Sequence, residues 1–329
     1  MKNNMNYDLS ILQNNPIFAL KLKPIVKFMD NPELVEIRVN KPKEIVLEYS
    51  TKKVYERVEE FDLDYLTSLG QELADYNSLL FNEENPILSA KLPGGSRVQI
   101  MGYTTVSSQF AMSIRIRRYI DFKLGDFGID KNTQKEIISA VENKKTILVS
   151  GGTGTGKTSL TNVLLSYIPK EERLVSIEDV EELRFEGFKD VVNMFYSGNK
   201  NVKTKVGAED LLRSSLRMNP DRILVGEIHV ENAETFCGAI NTGHKGSIGT
   251  IHANSPKGAI AAIIMKIIMN GANDSSIKVL QHQICEDIFA VLQIHKNSDG
   301  SRTAEFVKLS EFKNDTSIEK DLTNKISGI

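Results

Sequence analysis

The sequence predicts an α/β protein of two domains, with a mostly parallel sheet in the C-terminal domain and a smaller α+β domain before it. Three observations predict this. A length of 329 residues suggests two domains. The first third pairs short strand-like runs around one helical stretch. From "KKTILVSGG" onward, apolar strands alternate with helical segments, the pattern of a parallel sheet covered on both faces. The boundaries are placed at 1–118 for the N-terminal domain, 119–132 for a connector and 133–329 for the C-terminal domain.

In chain order, "LVEIRVN" and "EIVLEYS" flank "KPK" and suggest a hairpin. A helix is expected around "YLTSLGQELADYNSLLF". "KLPGGSRVQIMGY" and "FAMSIRIRRY" alternate apolar and polar residues as paired strands do, with Pro-Gly-Gly as the turn. "YIDFKLGDFGIDKN" loses that pattern and reads as the connector. Then come the strand "KKTILVSGG", the helix "KTSLTNVLLSYI", the strand "RLVSIED", the helix "DLLRSSLRM", the strand "DRILVGE" and the helix "ENAETFCGAINTG". "DIFAVLQIHKNSDGSRTAEFVKL" reads as a hairpin turning at Asp299-Gly300. There is no internal repeat and no low-complexity region.

Composition excludes several function classes. The formal net charge of -2 gives no bulk attraction to nucleic acid or to an anionic membrane. The 2 cysteines, Cys237 and Cys285, have no CxxC spacing and read as reduced cytosolic thiols, not a disulfide framework. "MKNNMNYDLS" has no apolar signal core, and the apolar stretch from Gly258 to Ala272 is too short to span a bilayer and reads as a packed helix. The chain is expected to be soluble and cytoplasmic.

"SGGTGTGKTS", Ser150 to Ser159, carries the chemistry. Gly151, four residues, then Gly156-Lys157-Thr158 matches the phosphate-loop pattern G-x-x-x-x-G-K-[ST]. Glycines let the backbone curl so that amides converge on an anion, and the following helix adds its positive end. Gly152, Thr153, Gly154, Thr155, Gly156, Lys157, Thr158 and Ser159 are therefore expected to hold a nucleoside triphosphate. Lys157 meets the β and γ phosphates, and the Thr158 hydroxyl ligates Mg²⁺. An apolar strand enters the loop and a helix leaves it, as this chemistry requires.

Hydrolysis also needs carboxylates beside that loop. "ILVGE" ends an apolar strand at Glu227, and "VSIEDVEEL" ends another with Glu178, Asp179, Glu181 and Glu182. In a parallel sheet such strands deliver their side chains at the carboxyl end, next to the phosphate loop.

The ordered set "GGTGTGKT", "SIEDVEEL", "LRMNPDRILVGE" and "NTGHKGSIGTIHANS" resembles the Walker A, acidic box, Walker B and histidine box of the type II/IV secretion ATPase superfamily. "NPILSAKLPGGSRVQI" and "SIRIR" resemble the N-terminal domain of its type IV secretion branch, the VirB-eleven-type traffic ATPases. The match runs from about Asn31 to the C-terminal hairpin. The resemblance implies a RecA-like C-terminal domain, a hexameric ring, and ATP with Mg²⁺ between the two domains. It implies that Glu227 supports the metal and its water, and that Glu178 or Glu182 positions the attacking water. His244 and His252 would sense the γ-phosphate or couple its loss to movement rather than bind metal, and Arg97 and Arg115 would reach the terminal phosphates from the N-terminal domain. Arg117 and Arg118 have weaker claims.

The function implied is an ATP-driven motor of a type IV secretion or conjugation apparatus, in which ATP closes the N-terminal domain onto the C-terminal one. Its partners would be copies of itself and inner-membrane components of the apparatus. It would sit at the cytoplasmic face of the inner membrane, reach the membrane through partners, and make no direct nucleic-acid contact. The alternatives are a type IV pilus assembly or retraction ATPase, a helicase-like motor, and a nucleotide-gated scaffold without hydrolysis. The chain departs from the family where Walker B normally continues to an arginine: it reads Gly226-Glu227-Ile228-His229. A neutral imidazole has neither the permanent charge nor the fork of arginine. The following glutamate-alanine pair is Asn232-Ala233 here, and Asn219 stands where relatives often carry arginine. Arg217 and Arg222 are the nearby candidates to substitute.

Overall fold

The computed structural model describes residues 12, 15–49, 51–117, 121–196, 206–271 and 277–326. They form two compact units that divide after Tyr119.

The N-terminal unit runs α1 (Pro16–Met29), β1 (Leu34–Lys41), β2 (Glu44–Tyr49), β3 (Lys53–Arg57), α2 (Leu63–Tyr76), β4 (Ile87–Lys91), β5 (Arg97–Gly102) and β6 (Phe110–Arg115). Its strands form one sheet in the order β3-β2-β1-β6-β5-β4, every neighbouring pair antiparallel. Alternation dictates the faces: Val98 and Ile100 of β5 are buried while Gln99 and Met101 are exposed. Both helices are capped from the sequence. Asn15 Oδ1 accepts from the Phe18 amide and Asp62 Oδ1 from the Tyr65 amide. Phe18, Leu22 and Ile25 of α1 and Leu66, Leu69 and Leu73 of α2 bury against the sheet in one core.

The expected hairpin is β1–β2, and the expected helix is α2. The Pro-Gly-Gly turn joins β4 to β5, with Gly94 and Gly95 both at φ 86, and residues 103–109 then lead to β6. The sequence reading did not include α1 or β3. A proline sits inside α1, and every β3 side chain is at least partly exposed, so neither carries a clean period.

The C-terminal unit runs α3 (Lys131–Glu142), β7 (Ile147–Gly151), α4 (Lys157–Leu165), β8 (Leu174–Glu178), β9 (Val191–Phe195), α5 (Ala208–Ser215), β10 (Arg222–Val225), α6 (Ala233–Asn241), β11 (Ile248–Ile251), α7 (Pro256–Met269), α8 (Ile277–Asp287), β12 (Ala290–Lys296), β13 (Arg302–Lys308) and α9 (Thr316–Ile326). The sheet order is β13-β12-β7-β11-β10-β8-β9, parallel throughout except for β12–β13. The strands β7, β8, β10 and β11 are buried along their whole length, as a sheet covered on both faces requires. Leu148, Ile223 and Val225 enter one core with Phe236, Ile260 and Ile263. Ile147, Val149 and Leu224 enter the other with Leu160, Leu164 and Leu292.

The fold class is thus as expected: a mostly parallel α/β unit after an antiparallel α+β unit. The apolar stretch from Gly258 lies in α7, capped by Ser255 Oγ and packed through Ala259, Ile260, Ile263, Ile264 and Ile267; Ala272 lies outside the described residues. No helix among the described residues is long and apolar enough to cross a membrane. The β12–β13 hairpin turns where expected, with Gly300 at φ 85. Of the connector residues, Leu124, Phe127 and Ile129 are buried in the core of the second unit, whereas Tyr119 and Ile120 lie outside the described residues. The parallel strands place the carboxyl ends of β7, β8, β10 and β11 along one edge.

Candidate nucleotide site

The loop between β7 and α4 is shaped by its glycines. A Cβ on Gly151 would stand 2.6 Å from Ile294 Cγ2 and 2.7 Å from Thr155 Oγ1, so only glycine fits there. Gly154 and Gly156 adopt φ of 72 and 106, the left-handed region. Thr155 Oγ1 donates to the Gly152 carbonyl at 2.9 Å and closes the curl. Among the described residues no protein acceptor takes the amides of residues 153–158. Such a run of amides at a helix start is what an anion completes.

Lys157 is buried beneath this loop. Its Nζ donates to the carbonyls of Gly151 and Gly152 at 3.0 and 3.1 Å and lies 2.9 Å from His252 Nδ1. Burial holds the ammonium below the usual lysine pKa, while Glu227 and Glu182 act in the opposite sense. An ammonium only donates, so His252 Nδ1 accepts and its ring proton belongs on Nε2. That Nε2 faces Glu227 Oε2 at 3.2 Å. Lys157, His252 and Glu227 therefore form one polar chain from the loop to the end of β10.

The acidic segment after β8 is held differently. Glu178 is buried, and its Oε2 accepts from the amides of Glu182 and Leu183 at 2.8 and 2.9 Å. Its Oε1 is buried with no partner among the described residues, and burial pushes the carboxyl above the usual glutamate range. The folded-back segment brings Glu182 Oε2 to 2.7 Å from Thr158 Oγ1, which donates to it. Asn162, one turn further along α4, donates to the Glu182 carbonyl at 3.0 Å and accepts from the Arg184 amide at 2.9 Å. Where the sequence leaves Glu178 and Glu182 equivalent, the geometry separates them: Glu182 meets the loop's threonine, and Glu178 holds the backbone that carries Glu182.

Beyond β10, Gly226 packs on Glu178; a Cβ there would come within 3.2 Å of its Cγ. Glu227 lies between His252 and His229, whose Nδ1 is 3.7 Å from Glu227 Oε1. Asn232 is fully buried and ties this turn: its Oδ1 accepts from the His229 amide at 2.8 Å and its Nδ2 donates to the Glu227 carbonyl at 3.1 Å. Asn162 and Asn232 were not among the expected site residues. The one sequence signal for Asn162 is its place four residues after Thr158 on a helix; for Asn232 it is the departure from the family's glutamate.

Two of the expected residues lie away from the phosphate loop of their own chain. His244 precedes β11, at the amino edge of the sheet. Its carbonyl accepts from Ser247 Oγ, and the neighbouring Gly246 packs on Lys144 and Arg222. His252 follows the other end of β11, and four strand residues span about 13 Å. The fold thus separates His244 from the phosphate loop of its own chain. Arg222 lies at the same amino edge, fully buried, with Nε and Nη2 on the Glu172 carboxylate at 2.6 and 3.1 Å. Its guanidinium is committed to that pair. Arg217 is exposed after α5. Arg97 and Arg115 lie directly opposite each other on β5 and β6 of the N-terminal unit. Arg117 packs beside Gly95, and Arg118 lies outside the described residues.

The residues present fit a nucleotide with Mg²⁺. Among the described residues the loop offers unpartnered amides and a buried cation, and Thr158 and Glu227 offer hard oxygen donors. No group of three or more His, Cys, Asp or Glu side chains among the described residues is placed to hold a metal alone. A hydroxyl, carboxylates, waters and substrate phosphates are the usual Mg²⁺ environment.

A parallel sheet whose loop strand β7 is separated from the acid-ended β10 by β11, with that loop at its carboxyl edge, defines a P-loop α/β protein. The protein-family model described as "Type II/IV secretion system protein" matches residues 19–302, and the chain belongs to that family. It is similar to the type IV secretion system protein VirB11 of Bartonella quintana, 31% identical over 303 residues that cover 80% of this chain and 85% of that protein. It is likewise 31% identical to VirB11 of Brucella suis over 278 residues, 76% of this chain and 77% of that one. Among solved structures, the ATPase DotB of Legionella pneumophila aligns over 93% of this chain and 87% of its own, with a TM-score of 0.66 and 15% identity, a likeness of fold.

Proposed function

We propose that this chain is an ATP-hydrolysing motor of a type IV secretion or conjugation apparatus. The observation that carries the reading is the meeting of Lys157, Thr158, Glu182, His252 and Glu227 at one phosphate loop. In this reading the amides of residues 152–159 and Lys157 bind the triphosphate, which replaces the lysine's present carbonyl partners. Thr158 and, through water, Glu227 would hold Mg²⁺, which when bound would neutralise phosphate charge. Glu182 orients the attacking water and takes its proton. Glu178 positions Glu182, and His252 reports the state of the lysine–glutamate pair.

The finer parts of the proposal are a six-membered ring, Arg97 and Arg115 reaching the terminal phosphates, and domain closure driven by ATP. Its place is the cytoplasmic face of the inner membrane, reached through membrane components of the apparatus. Membership of the secretion family and the naming of the VirB11 relatives support this reading. The test is steady-state ATP hydrolysis against protein concentration, with assembly size measured in parallel and Lys157→Ala as control. Activity that rises with a six-subunit species and vanishes in the variant is expected. Wild-type hydrolysis by Lys157→Ala would sink the assigned chemistry.

A further inference from the structure

Arg302 opens β13, far along the chain from the phosphate loop, yet its side chain lies against that loop. Its Nε–H donates to the Thr155 carbonyl at 2.9 Å. A Cβ added at Gly156 would stand 2.9 Å from Arg302 Nε and 3.2 Å from its Cδ, so the side chain lies flat on the glycine. Its guanidinium carbon is 5.6 Å from the centre of the Phe122 ring, which packs on Phe127 at 5.4 Å. Among the described residues no carboxylate pairs with Arg302. Asp121, beside Phe122, is held by Arg184 Nη1 at 2.9 Å, and the Arg184 amide is in turn held by Asn162.

The Thr155 carbonyl and the Gly156 N–H belong to one planar trans peptide and point to opposite sides. Holding the carbonyl toward the hairpin turns the Gly156 N–H away from it. A glycine at φ 106 also permits the reverse orientation at little steric cost, since a peptide flip leaves the flanking chain in place. Something outside the loop must choose between the two. We propose that Arg302 is a positioning residue for nucleotide binding: it fixes the Thr155–Gly156 peptide with its amide facing the phosphates, braced on Phe122. The proposal rests on the nucleotide reading above and adds a residue from the C-terminal hairpin to it.

The test compares Arg302→Gln, Arg302→Lys and Arg302→Leu in the full-length protein, reading affinity for a fluorescent ADP analogue, KM and kcat for ATP, and Tm. Glutamine carries a side-chain N–H at the same distance along the chain as arginine Nε; lysine keeps the charge but has no donor there. A hydrogen bond from a charged donor supports a loss of about tenfold in affinity. Arg302→Gln is expected to bind within about threefold of wild type, and Arg302→Lys and Arg302→Leu to bind about tenfold more weakly, chiefly in KM. Rescue by lysine and not by glutamine would mean charge acts through space and would overturn the proposal. Unchanged affinity in all three with only a lower Tm would overturn it too. If leucine prevents folding, the contrast between glutamine and lysine still decides. Equal binding by wild type and Lys157→Ala would instead bring down the nucleotide reading, and this proposal with it.

Discussion

Thr158 Oγ1 donates to Glu182 Oε2 at 2.7 Å, so the hydroxyl of the phosphate loop and the second acid of the acidic segment are already in contact. In the proposed nucleotide-bound state the Thr158 hydroxyl would leave this contact and free Glu182 for a water. Glu182→Gln is expected to lower kcat by about a hundredfold or more, the scale of a general base, while nucleotide affinity stays within a few-fold. Steady-state rates with a separate binding titration read both. An affinity loss as large as the rate loss would assign Glu182 to binding instead.

Glu178 carries a buried carboxyl whose Oε1 has no partner among the described residues, and burial raises its pKa above the ordinary 4.5. A carboxyl with a raised folded pKa binds more protons folded than unfolded, so its contribution to stability is complete below 4.5 and fades as pH climbs through the folded value. Glu178→Gln removes that fade. Thermal unfolding across a pH series is expected to show the variant gaining on wild type from 4.5 toward neutrality. A constant gap across the series would refute the assignment.

Asn232 holds the His229 amide and the Glu227 carbonyl with one buried side chain. Replacing it by alanine leaves both backbone groups without that partner, at a cost of about 1–3 kcal/mol. The turn carrying Glu227 loosens as well. Asn232→Ala is expected to lose stability by that amount in chemical denaturation and to lose kcat with KM nearly unchanged. Full activity at reduced stability would leave Asn232 a purely structural clamp.

Arg222 pairs with Glu172 at the amino edge of the sheet, away from the loop. Removing one partner of a buried pair costs about 3–5 kcal/mol. Arg222→Met is expected to be destabilised on that scale, with nucleotide affinity of the folded fraction unchanged. A specific loss of hydrolysis at wild-type stability would reopen it as a phosphate ligand.

The local signals in the sequence settled much of this protein. Alternating and continuous apolar runs fixed β1, β2, β7, β8 and β10, because period and length follow from which faces are buried. The glycines and lysine of residues 151–158 named their own loop, because glycines let a backbone curl around an anion and the lysine adds the opposing charge. Elements without a clean period escaped: α1 with its internal proline, and β3, exposed along its length. What only the tertiary structure decided was which charged groups share the loop. Sequence spacing treats His244 and His252 alike, but a strand has two ends, and β11 sends one to the pocket and the other to the far edge. Arg222 opens the strand that ends before Glu227, and for the same reason it pairs with Glu172 at the opposite edge. Asn162, Asn232 and Arg302 enter through hydrogen bonds to backbone atoms, which every residue possesses and no sequence pattern marks. Chain direction through a parallel sheet, which a linear sequence does not encode locally, made those choices.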